Sequence, residues 1–131
     1  MKIAILGNGG REHALALQIS KSPNLNELYC LPGNAGTSLI AKNIDIDIDD
    51  FDKVYNFVKS ANIELVIVGP EKPLVNGIVN FLEKKKIKTF GPKQKSAQLE
   101  GSKIFTKNIC EKYNIPTAKF KIFEERKEAI G

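Results

Sequence analysis

Gly7-Asn8-Gly9-Gly10-Arg11-Glu12-His13 joins an apolar run, Ile3-Ala4-Ile5-Leu6, to a stretch of helical character, where a phosphate-binding loop would sit. Glycines let the backbone take positive φ and let a ligand approach main-chain N–H groups, and a helix start adds unpaired donors. The spacing departs from the dinucleotide fingerprint, because Glu12 stands where its third glycine would be. The next strand ends in Leu31-Pro32-Gly33, where a nicotinamide enzyme offers an acidic residue to the ribose, so an oxidoreductase is disfavoured. A tight turn that only closes the sheet fits the same glycines. Asp45, Asp47 and Asp49 alternate with Ile44, Ile46 and Ile48 but lack the glycine and terminal glutamate of a calcium loop. They read as a charged edge strand, with Asp49 or Asp50 capping the next helix. Lys103 and Lys107 form a like-charge i, i+4 pair, unfavourable unless an anion lies between them; two solvated lysines are the plain alternative.

Around these residues strand and helix alternate. Lys2 to Leu6 reads as a buried parallel strand, followed by a helix from Arg11 to about Ser20 with Ala14, Leu15, Leu17 and Ile19 as its apolar side. Strands are expected at Glu27 to Leu31 and Asn43 to Ile48, then a helix from Asp50 to Ala61 with Phe51, Val54, Tyr55 and Val58 on one face. Leu65 to Val68 is the next strand, closed by Gly69-Pro70, and one helix carries Leu74, Val75, Ile78, Val79 and Leu82. Ile87 to Phe90, closed by Gly91-Pro92, ends the series. This order predicts a doubly wound parallel α/β sheet with helices on both faces. Past Pro92 the rhythm changes: a helical turn at Ser96 to Leu99, a helix from Ser102 to Tyr113, an alternating strand from Ala118 to Ile122, and helical character from Glu124 to Ile130. That last strand lacks a sheet, so the residues after about Tyr113 are expected to be mobile or to pack against another copy, and a second domain is expected to open near Gly101.

The balance of 42% apolar and 27% charged residues is that of a globular protein. No apolar stretch is long enough to span a bilayer, and no targeting pattern precedes the first strand. Cys30 and Cys110 form no C-x-x-C pair, and with a single histidine no metal site is expected. Their usage fits buried thiols in a reducing cytoplasm. The net charge of +5 raises nucleic acid as a partner, but the densest run, Lys84, Lys85, Lys86 and Lys88, ends a helix, where cations are favoured by its dipole. No nucleic-acid or membrane partner is expected.

Gly7 to Ala14 resembles the opening of the glycinamide ribonucleotide synthetases. Pro32-Gly33-Asn34-Ala35-Gly36-Thr37, Val68-Gly69-Pro70-Glu71 with Pro73-Leu74-Val75, Gln98 to Lys103 with Phe105-Thr106-Lys107, and Ile115-Pro116-Thr117-Ala118 follow in that family's order. The resemblance implies an ATP-grasp ligase that joins glycine to 5-phosphoribosylamine, with ATP and Mg²⁺ in the complete enzyme. It implies a Rossmann-like pre-ATP-grasp domain over residues 1–92, a linker over 93–100 and an incomplete ATP-grasp start over 101–131. Asn8, Gly9, Gly10, Pro32, Gly33, Asn34 and Glu71 are the implied substrate-binding residues, and Lys103 the implied contact to nucleotide phosphate. The family's metal carboxylates and glycine-binding arginine would lie beyond Gly131, so the chain alone is expected to be inactive and to hold no catalytic residue. The alternative is a non-catalytic nucleotide- or partner-binding module that kept the fold.

Overall fold

The computed structural model describes residues 1–123 and Ile130. Two compact units are present, Met1–Ala97 and Gln98–Gly131. In the first unit β1 (Lys2–Gly7), β2 (Glu27–Pro32), β3 (Lys42–Asn43), β4 (Leu65–Val68) and β5 (Thr89–Phe90) form one sheet in the order β3-β2-β1-β4-β5. Every pairing is parallel. Residues buried on both faces explain why β1 reads as an unbroken apolar run. Ile3 and Ile5 point to the side of α1 (Gly10–Ile19), where Ala16, Leu28 and Cys30 complete a small core. Ala4 and Leu6 point to the other side, against α2 (Phe51–Ser60), α3 (Glu71–Val75) and α4 (Ile78–Lys84). That larger core includes Leu31, Val54, Val58, Val66, Ile78 and Leu82, each worth about 1.5–3 kcal/mol of apolar burial.

The chain thus runs outward from β1 to β3 on one side, returns over the opposite face, and adds β4 and β5 on the other side. Connections from β1 and β4 leave to opposite faces of the sheet, so the carboxyl ends of these neighbours border a crevice.

The far end of the sheet is stitched by charge. Glu27 accepts from Lys2 Nζ at 2.7 Å, from Lys42 Nζ at 2.8 Å and from the Tyr29 hydroxyl at 2.6 Å. These hydrogen bonds, that from Lys2 first, hold the Glu27 carboxyl down at about 2, against 4.5 for an ordinary glutamate. Folding lowers this pKa, so the stabilisation is complete above about 4.5 and disappears as the pH falls towards 2. Glu27→Gln should remove that part of the acid limb, and a carboxyl NMR titration of the parent should give a midpoint near 2. An ordinary midpoint would show that the cluster does not hold in solution.

Several elements differ from those the sequence suggests. The third strand covers only Lys42–Asn43, and the aspartates beyond it turn rather than extend: Asp50 N donates to Asp47 O at 3.1 Å. Ile44, Ile46 and Ile48 still pack against the larger core, so their alternation records sidedness without pairing. Asp50 caps α2, accepting from Lys53 N at 3.1 Å. The single helix expected around Leu74 to Leu82 is two, α3 and α4, separated at Asn76-Gly77, where Gly77 takes a φ of +93°. On α1, Leu15 and Leu17 are exposed and Ala16 and Glu12 are buried instead. The lysine run ends α4 as expected, with Lys85 Nζ 5.0 Å from the Tyr55 ring centre.

The helix α5 (Gln94–Gly101) begins in the first unit, where Ala97 is buried. In the second unit α6 (Lys103–Lys112) starts at Ser102, whose hydroxyl accepts from Phe105 N at 3.2 Å. Residues 118–122 form no strand, because no neighbouring strand offers them a ladder among the described residues. The helical character expected from Glu124 lies outside the described residues up to Ile130.

Candidate functional site

Loops following β1, β2 and β4 meet at the crevice. Gly33 N donates to Gly7 O at 3.2 Å, and Gly69 N donates to Leu6 O at 3.1 Å, so main-chain bonds tie each flanking loop to the end of β1. Asn34 bolts the second loop to the first: its Nδ2 donates to Asn8 O at 2.9 Å and to Gly9 O at 3.3 Å. Its Oδ1 accepts from Gly36 N at 2.8 Å and Thr37 N at 3.0 Å, closing the Pro32 to Thr37 loop on itself. A Cβ on Gly36 would lie 2.4 Å from His13 Cε1 on α1, so a larger residue there would displace that ring. Behind this loop Cys30 is fully buried, and desolvation pushes its thiol up, out of the nucleophilic range.

Glu12 forms the floor. It is buried, and its Oε2 accepts from Gly9 N at 2.7 Å, so a carboxylate satisfies a free donor at the start of α1. A Cβ on Gly69 would stand 2.0 Å from Glu12 Oε1, so the residue after β4 must be glycine for this side chain to fit. The third glycine of a dinucleotide site lets helix and strand approach closely. Here a side chain fills the gap. The arrangement was not apparent from the sequence, although glycine at 9 with glutamate three residues on has the spacing of a capping box.

Glu71 opens α3 at the crevice mouth, with its side chain 53% exposed. Arg11, in the first turn of α1, donates from Nη1 to Gly69 O at 3.3 Å and places Nη2 3.8 Å from Glu71 Oε2. So exposed a pair contributes about 0–1 kcal/mol and opens readily. The loops that carry Asn8, Gly9, Gly10, Pro32, Gly33, Asn34 and Glu71 therefore lie together at the carboxyl end of the sheet. They are joined by Arg11, which the sequence did not single out, and by Glu12, which it marked only as a departure from the dinucleotide fingerprint.

Lys103 belongs to the second unit, where Lys103, Ile104, Lys107 and Phe120 to Phe123 line a cavity of about 400 Å³. Lys107 is engaged there: its Nζ donates to Thr117 Oγ1 at 2.6 Å and to Ala118 O at 3.0 Å. Those acceptors relieve the repulsion expected of its i, i+4 pairing with Lys103.

A parallel sheet wound in both directions from β1, with glycine-bearing loops gathered at its switch point, defines a Rossmann-like α/β domain. Residues 1–100 match the family described as phosphoribosylglycinamide synthetase, N domain, and the chain belongs to that family. It is 45% identical over 130 residues to a phosphoribosylamine–glycine ligase of Caldanaerobacter subterraneus subsp. tengcongensis, covering 99% of this chain and 31% of that protein. The crystal structure of phosphoribosylamine–glycine ligase from Thermotoga maritima superposes with a TM-score of 0.66 at 31% identity, over 92% of this chain and 27% of that one. N5-carboxyaminoimidazole ribonucleotide synthetase from the same organism superposes with a TM-score of 0.73 over 98% of this chain and 35% of that one. At 19% identity that second likeness is one of fold. The chain spans about a third of the length of the curated relatives it matches. No described helix is long and apolar enough to cross a membrane.

Proposed function

We propose that this chain supplies the amino-terminal substrate-binding portion of an ATP-dependent carbon–nitrogen ligase that joins glycine to 5-phosphoribosylamine in cytoplasmic purine synthesis. The products of the complete reaction are glycinamide ribonucleotide, ADP and phosphate. The observation that carries this reading is the switch-point crevice, where Asn8 to Gly10, Pro32 to Asn34 and Glu71 come together in a chain of this family. Residues 1–92 would hold the phosphoribosyl group, 93–100 would link, and 101–131 would begin the nucleotide-binding part, with Lys103 placed for a phosphate. Among the described residues no cluster of carboxylates, histidines or cysteines suits a divalent ion. The Mg²⁺ of the complete ligase would therefore take its ligands from elsewhere in that enzyme.

Within the crevice Glu71 is the acceptor suited to paired ribose hydroxyls, because its carboxylate is exposed and among the described residues is held only by Arg11. Glu71→Ala should weaken binding of glycinamide ribonucleotide about tenfold, the value of a charge-assisted hydrogen bond pair, with the fold unchanged. An amide NMR titration checks both. Perturbations clustered away from the loops at Gly7 and Gly69, or a variant that titrates like the parent, would show the site to be wrongly placed.

A further inference from the structure

We infer that the guanidinium of Arg11, rather than the main-chain donor of Gly9, receives the anionic group of the phosphoribosyl ligand and so sets the preference for a phosphorylated one. The inference rests on the substrate reading above. In a dinucleotide site the free N–H groups at the helix start take the phosphate. Here Gly9 N is already bound to Glu12 Oε2 at 2.7 Å, and the carboxylate fills the space between Gly7, Gly9 and Gly69. A phosphate on this floor would lose that donor and meet a like charge. One residue earlier on the same helix turn, Arg11 reaches the mouth. Its contacts, 3.3 Å to Gly69 O and 3.8 Å to Glu71, are long, so most of its five donors remain available. A guanidinium fork matches two phosphate oxygens at once. On binding, Arg11 exchanges Glu71 for the phosphate, and the freed Glu71 carboxylate turns to the ribose hydroxyls. Anion and diol are thereby sorted to opposite members of a pair that hold each other when no ligand is bound.

The test titrates the chain by NMR with glycinamide ribonucleotide, its dephosphorylated riboside and glycine. The parent should prefer the phosphorylated ligand by roughly tenfold or more. Arg11→Ala should bring that ligand down to the riboside's affinity while leaving the riboside unchanged, and Arg11→Lys should keep part of the preference. Glu71→Ala should weaken both ligands alike and preserve their ratio. Circular dichroism confirms that each variant folds. The inference is overturned if the parent shows no preference, if Arg11→Ala keeps it, or if that variant alters glycine binding instead. If Glu71→Ala weakens neither ligand, the placement of the ribose falls, while the ratio still judges Arg11 separately. A parent that binds none of the three ligands up to about 10 mM overturns both.

Discussion

This chain alone, purified free of host ligase, should form no glycinamide ribonucleotide and hydrolyse no ATP above background. Phosphoryl transfer depends on metal ions and charged groups that hold the γ-phosphate in line and absorb its charge. Among the described residues Lys103 and Lys107 offer cations, but Lys107 is turned to Thr117 and Ala118, and no acidic cluster suits a metal. Adding the remaining two thirds of a related ligase in trans or as a fusion should restore turnover if this crevice holds the acceptor. The assay follows product formation from glycine, phosphoribosylamine and ATP. Turnover by the chain unaided would sink the division of labour proposed here.

The largest expected effect on stability comes from one added methyl group. Gly69→Ala places a Cβ 2.0 Å from Glu12 Oε1, so Glu12 must leave its pocket. The lost charge-assisted bond to Gly9 N costs about 1.5–3 kcal/mol, and overpacking a closed site adds about 1–3 kcal/mol. A total near 4 kcal/mol is a large part of the roughly 5–15 kcal/mol that holds such a domain together. Removing the side chain in the way should recover part of it. In Gly69→Ala with Glu12→Ala, the methyl fits the vacated space and water can reach the half-exposed Gly9. Urea denaturation of both single variants and the double should show a coupling above about 1 kcal/mol. Strict additivity would mean that Glu12 and Gly69 do not share that space.

The central strands were legible because a parallel sheet buries both faces, and Ile3 to Leu6 and Leu65 to Val68 are continuous apolar runs. Helix α2 was legible because Val54 and Val58 are buried one turn apart. Alternation misled at Ile44 to Ile48 and Ala118 to Ile122, since a period of two reports which side of the chain is apolar and says nothing of a partner strand. Gly77 was the signal that separates α3 from α4, outweighed by the helical spacing of Leu74, Val75, Ile78 and Val79. In α1 the apolar letters pointed to Leu15 and Leu17, whereas burial went to Ala16 and a carboxylate. At the crevice, the glycines and Glu71 stood out by type. Their assembly did not, because Asn34 reaches Asn8 across separate loops, and only the paired strands bring those loops together.

The placement of β1 at the middle of the sheet also dictates when the domain can fold. Ile3 pairs with Leu28 on one side but with Leu65 on the other, far along the chain. Pairings so distant in sequence are slow to form, since a long loop must close before the contact stabilises anything. As the chain leaves the ribosome, its first strand emerges early and keeps one open hydrogen-bonding edge until β4 has been made. That edge is flanked by Ala4, Ile5 and Leu6, fully buried in the folded domain, a combination that recruits other chains. Protection of β1 during synthesis therefore depends on whatever shields it until Val68 has emerged, and nascent chains halted before Leu65 are the ones exposed to misassembly.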